Sequence, residues 1–195
     1  HHLSLRQKRS LQQRELAYSI NHKQEYAVSL LTALPFQLTK AQQTCITTIN
    51  NDLTRSYPML RLVQGDVGSG KTLVAVMAAL TVIEAGYQVA FMAPTEILAE
   101  QHYRKLSKWL TPLDIKVAWL TGSQSKKERE IGLNMTASGE AHIVVGTHAL
   151  FQDPVVFHKL GFVVIDEQHR FGVAQRQALL DKGERMPHLL AMTAT

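Results

Sequence analysis

Two stretches of this chain combine residue types that handle phosphate. Residues 65 to 72 read GDVGSGKT: a glycine, four residues, then Gly-Lys-Thr. That spacing makes a phosphate-binding loop when a strand precedes it and a helix follows. Gly65, Asp66, Val67, Gly68, Ser69 and Gly70 form the turn. Backbone N–H groups from Gly68 through Thr72 can wrap a phosphate only where side chains do not intrude, which explains Gly68 and Gly70. A helix starting near Lys71 adds the positive end of its dipole. Lys71 supplies a mobile cation for the β- and γ-phosphates of a nucleotide, and the Thr72 hydroxyl a ligand for Mg²⁺. The second stretch is FVVIDEQHRFG, residues 162 to 172, where an apolar run meets Asp166 and Glu167. A polar loop after a strand explains such a pair blandly. A metal site explains it better: Asp166 holds Mg²⁺ through water, and Glu167 orients and deprotonates an attacking water as general base.

These groups must be brought together by the elements around them. Strand-like runs are predicted at 59–64, 88–93, 115–120, 142–146, 162–166 and 188–193, and helices at 39–54 (with Thr39 as N-cap), 70–85, 95–110, about 125–138 and 170–181. Strands alternating with helices of that length imply crossover units and a parallel sheet with helices on both faces, an α/β architecture. Several strands are apolar on both faces, as a covered sheet requires. The run TLVAVMAALTVI after Lys71 is apolar nearly all round and is expected to be deeply buried. Both Lys71 and Asp166 then fall at C-terminal strand ends, the rim where open parallel sheets bind ligands.

Residues 1 to 33 have a different character. They hold no Gly or Pro, and Leu11, Ile20, Ala27, Leu30, Leu31 and Leu34 fit one helix or two, with a basic side from Arg6, Lys8, Arg9 and Arg14. Either a connector to an upstream domain or a solvated helix packed on the main domain fits this segment.

Composition bounds the function classes. At 195 residues and 45% apolar, the chain can bury a substantial core, and a 19% charged fraction is ordinary for a globular domain. No apolar run reaches the roughly 18 residues of a membrane span, and the opening HHLSLRQKRS lacks the apolar core of a secretory signal. The lone cysteine, Cys45, rules out an internal disulfide, fits a reducing compartment and reads as a small core residue. Without CxxC pairs or clustered histidines, no structural zinc site is expected. The net charge of +5 is compatible with a polyanionic partner without requiring one.

The string Asp-Glu-Gln-His at 166–169 resembles the DExH box of superfamily 2 helicases and translocases, and other segments fall in the order of that family's first RecA-like lobe. LTKAQQ (38–43) is similar to the adenine-side motif, which makes Gln42 the reader of the adenine edge and Phe36 a stacking residue. APTEILAEQH (93–102) is similar to motif Ia, LTGS (120–123) and VGTHAL (145–150) to backbone-contacting loops, and MTAT (192–195) to motif III, which couples nucleotide state to nucleic acid. Taken together, QGDVGSGKT, PTEILAEQH, VGTHALFQ and DEQHRFGV resemble the RecG family of bacterial DNA helicases over about residues 34 to 195.

That resemblance implies a RecA-like P-loop NTPase lobe at 34–195, preceded at 1–33 by a helical linker from a wedge domain. It implies ATP and Mg²⁺ as cofactors, branched DNA (stalled forks, Holliday junctions) as partner, and a bacterial cytoplasmic setting. DNA-contacting candidates carried over are Pro94, Thr95, Glu96, Gln101, Thr121, Gly122, Gly146, Thr147 and His148. Their small, hydroxylated character suits backbone contact. Thr95 reads equally as a helix N-cap, and His148 equally as an ordinary loop histidine. His169, Thr193 and Thr195 are implied to couple the nucleotide site to DNA. Because the string ends inside motif III, a second RecA-like lobe with arginine fingers is expected beyond Thr195, and the piece alone is expected to be nearly inactive. Three alternatives stand beside this reading. One is the first lobe of a transcription-repair coupling factor, whose box usually reads DEEH. Another is a non-motor nucleotide-binding module, which needs no base at Glu167. The last is a P-loop kinase or metabolic ATPase, which leaves LTKAQQ, VGTHAL and MTAT without a role. DNA rather than RNA rests on the resemblance alone, because phosphate contacts barely distinguish them.

Overall fold

The computed structural model describes residues 16–21, 23–65, 70–152, 154–167 and 172–194. Helix α1 spans Glu25–Ala33 and α2 Lys40–Leu53. Strand β1 (Leu60–Gly65) is followed by α3 (Lys71–Glu84), then β2 (Gln88–Met92) and α4 (Glu96–Leu110). Next come β3 (Val117–Leu120), α5 (Lys126–Ser138), β4 (Ile143–Gly146), β5 (Leu160–Asp166), α6 (Val173–Leu180) and β6 (His188–Ala194). The strands form one sheet in the order β1-β6-β5-β2-β4-β3, with every pairing parallel. The alternating pattern read from the sequence therefore gives the doubly covered α/β sheet it implies.

Strand residues divide by period two between two cores. Phe91, Phe162 and Val164 face α1 to α4, whereas Met92, Val163 and Ile165 face the side closed by α5 and the segment around Leu150 and Phe157. Leu73 through Ile83 of α3 are buried, as an all-round apolar helix requires. Thr39 caps α2 in a full capping box: its hydroxyl accepts from Gln42 N–H while Gln42 Oε1 accepts from Thr39 N–H.

Three features depart from the expected pattern. Strand β1 is half-covered: it is an edge strand, and Leu60 and Leu62 lie 74% and 46% exposed. Cys45 is half-buried beside the core, and burial pushes its thiol pKa up. Residues 17 to 20 are not helical. Ala17 N–H donates to Ser56 O and Ile20 N–H to Leu53 O, so this backbone is satisfied by the end of α2 and the turn after it, and the helix begins only after Gln24 at φ 63°. Ile20, Ala27 and Leu30 are buried in the same core as α2 and α3, and Leu11 lies outside the described residues. Among the described residues no helix is long and apolar enough to cross a membrane.

Candidate functional site

The C-terminal rim of the sheet gathers the chemistry. Strand β6 lies between β1 and β5, with Gly65 paired to Ala194 and Asp166 to Met192. The ends of β1 and β5 therefore share one rim, about 10 Å apart at the usual strand spacing. Lys71, the first residue of α3, reaches across that rim: its Nζ donates to Gly65 O at 2.9 Å and to Thr193 O at 3.0 Å. The ammonium thus rests on the carbonyl ends of β1 and β6, one strand away from Asp166. A half-buried cation held by two neutral carbonyls is poised to move onto a stronger anionic acceptor.

Gly70 immediately precedes it as N-cap, with φ 84°. A Cβ there would be strained and would overlap Gln42 Nε2. The Gln42 carboxamide, with its oxygen held by the capping box, therefore lies directly against Gly70. Phe36, in the loop before α2, is 49% exposed. Asp66, Val67, Gly68 and Ser69 lie outside the described residues, as do His169 and Thr195.

Asp166 ends β5 half-buried, and its Oδ2 sits 2.7 Å from His102 Nε2; the two side chains are 17% and 12% exposed. Glu167 follows with φ 51°, a left-handed conformation that costs a non-glycine residue about 1–2 kcal/mol. The chain turns sharply off the sheet between the two carboxylates, and strain of this kind is found where surrounding structure holds a residue for a task. Among the described residues no group of three or more His, Cys, Asp or Glu side chains gathers. A divalent ion at Asp166 would take phosphate, water and Thr72 as further ligands in a Mg²⁺–nucleotide site. The Gly70 cradle, Lys71 on its two carbonyls and the carboxylate at the next strand end but one all fit such a group.

The loops assigned to nucleic acid end neighbouring strands on this rim. Thr95 caps α4, its hydroxyl accepting from Leu98 N–H at 3.2 Å; Thr95, Glu96 and Gln101 are exposed and Pro94 is half-buried. Gly122 and His148 are exposed, and His148 lies against Phe151. Thr121, Gly146 and Thr147 are buried. Thr121 N–H is already taken by Gln124 Oε1, and a Cβ at Gly146 would overlap Leu120 O. Thr147 Oγ1 has no hydrogen-bond partner among the described residues. Of the residues assigned to DNA in these two loops, Gly122 and His148 are thus the accessible ones.

His102 was not among the residues singled out from the sequence. A signal for it existed. Ala99, Leu106 and Leu110 mark the buried face of α4, and His102 stands at i+3 from Ala99, a titratable residue on an inward stripe.

A parallel sheet with a lysine at a helix start, a carboxylate pair on the same rim and an interposed strand defines a RecA-like nucleotide-binding lobe. The chain belongs to the DEAD/DEAH box helicase family, whose model matches residues 39–195. It is 50% identical over its whole length to the ATP-dependent DNA helicase RecG of Escherichia coli (strain K12), and 53% identical to that of Acidithiobacillus ferridurans. It spans 29% and 28% of those two proteins. It also superposes with a TM-score of 0.82 and 42% identity on the solved structure of RecG bound to a three-way DNA junction, covering 95% of this chain and 24% of that one. Membership of this family implies nucleotide binding.

Proposed function

We propose that the chain is the first motor lobe of an ATP-dependent DNA helicase that remodels branched DNA in repair and recombination. The observation that carries this reading is the shared rim: Lys71 and the Asp166–Glu167 pair flank β6, with Lys71 bonded to Thr193 of that strand. Gln42 and Phe36 receive the adenine, and residues 65 to 72 the phosphates. Thr72 and Asp166 hold Mg²⁺, which when bound neutralises charge developing on the transferred phosphoryl group. Glu167 takes the proton of the attacking water. The loops of α4, Gly122 and His148 contact DNA phosphates, with Pro94, Thr121, Gly146 and Thr147 shaping their backbone. Thr193, Thr195 and His169 pass nucleotide state to DNA.

RecG homologues of over three times this length support partners from the same polypeptide: a linker at 1–33, a wedge domain and a second lobe. A second lobe's arginine fingers add on the order of 10³–10⁵ in rate. In the full-length helicase, Glu167→Gln is expected to abolish DNA-stimulated ATP hydrolysis while nucleotide binding survives. Unchanged turnover would remove the base assignment, and lost binding would make Glu167 a binding residue.

A further inference from the structure

We infer that His102 is a positioning residue for the metal-holding carboxylate: its imidazole fixes the rotamer of Asp166 and thereby sets the affinity of the site for Mg²⁺–nucleotide. The inference rests on the nucleotide-site reading above and adds a residue that reading does not contain. His102 Nε2 lies 2.7 Å from Asp166 Oδ2, the distance of a strong charge-assisted hydrogen bond. The imidazole is itself clamped. It is 12% exposed and tilts against Phe91 of β2, ring centroids 4.7 Å apart. Phe91 is fully buried in the sheet, so the donor is mounted on a rigid support.

One bond to Oδ2 leaves the second oxygen, Oδ1, to serve as the ion's ligand. A carboxylate held on one oxygen presents the other without first losing rotational freedom, which is how supporting hydrogen bonds raise the affinity of a metal ligand. The support comes from α4 rather than from the metal site's own loops. Thr95 caps that helix seven residues before His102, about 10 Å along its axis. Asp166 is thus tied, through one helix, to the Thr95–Glu96 turn on the same rim.

The test is a Mg²⁺ titration of fluorescent ATP-analogue binding to the full-length helicase, compared among parent, His102→Ala and His102→Gln. Thermal unfolding of all three is recorded alongside. Gln keeps an N–H donor close to the position of Nε2; Ala keeps none. For His102→Ala the Mg²⁺ concentration at half-saturation should rise about tenfold or more, with binding in the absence of Mg²⁺ unchanged, and His102→Gln should recover most of the loss. A curve for His102→Ala that coincides with the parent overturns the inference. So does a Gln variant as impaired as Ala at equal thermal stability, because His102 would then fill space rather than hold a carboxylate. If parent binding is itself indifferent to Mg²⁺, or Asp166→Asn leaves it unchanged, the nucleotide-site reading fails and this inference with it.

Discussion

The histidine at the start of β6 offers a sharp test of how residues 17 to 20 are held to the lobe. His188 is fully buried. Its Nδ1 accepts from Met59 N–H at 2.9 Å, and its Nε2–H donates to Tyr18 O at 2.7 Å. Only the neutral ring can do both, because a protonated Nδ1 would face the Met59 N–H with a second donor. Replacing His188 with Leu keeps an apolar side chain of similar size and removes both bonds. The buried Met59 N–H is then left unpaired, at about 1–3 kcal/mol, and the part-buried Tyr18 carbonyl loses its partner at a smaller cost. Allowing for the apolar surface Leu buries, the net loss should be about 1–3 kcal/mol. At about 2–4 °C per kcal/mol for a chain of this size, the melting temperature falls clearly.

The pH dependence adds a signature that cavity formation alone does not. Burial holds the folded pKa of His188 below its ordinary value of 6.5, against smaller opposing effects of the Tyr18 carbonyl and Asp52. With the folded pKa depressed, the unfolded chain takes up the proton first as pH drops. The stability this residue contributes is therefore complete above about pH 6.5 and declines below it, by at most about 1.4 kcal/mol per pH unit. Urea unfolding at pH 7.5 and 5.5 should show the gap between parent and His188→Leu narrowing at the lower pH, by no more than about 1.4 kcal/mol. A gap within about 0.5 kcal/mol of zero at pH 7.5, or one that does not change with pH, would refute the reasoning.

Gly70→Ala forces a side chain into a left-handed position already occupied by Gln42 Nε2. Strain of about 1–2 kcal/mol should weaken nucleotide binding about tenfold in an equilibrium titration, and an unchanged affinity would show that the turn tolerates a Cβ. Gln88, 4% exposed, donates through Nε2 to Thr136 O and Ala141 O and accepts from Lys159 N–H. Gln88→Leu orphans three backbone groups that tie α5 and the starts of β4 and β5 together. A loss of about 3 kcal/mol or more in urea unfolding is expected, with the fold retained by circular dichroism.

The sheet, its helices and the Thr39 cap were legible because they follow from periodicity and local capping, which act over a few residues. The shared rim of Lys71 and Asp166 was legible because both residues follow strand-like runs of a parallel sheet. Other features depend on packing between distant segments. Whether Leu60 and Leu62 are covered depends on β1 lying at the sheet edge, and strand order is not written in β1. Residues 17 to 20 carry helix-forming composition, yet bonds to Leu53 and Ser56 override it. The positive φ of Glu167 and the burial of Thr121 and Thr147 likewise arise from tertiary context. His102 was read as part of a motif string, whereas its position on the inward stripe of α4 is what places it on Asp166.

The central claim is that Lys71 and Asp166 serve one triphosphate and its ion across the end of β6. A crystal structure with Mg²⁺ and a non-hydrolysable ATP analogue tests it most directly. The account predicts that Lys71 Nζ leaves Gly65 O and Thr193 O for the β- and γ-phosphate oxygens, with Asp166 oriented on the ion. A nucleotide bound away from this rim, or one bound here with Lys71 still on both carbonyls, would contradict it.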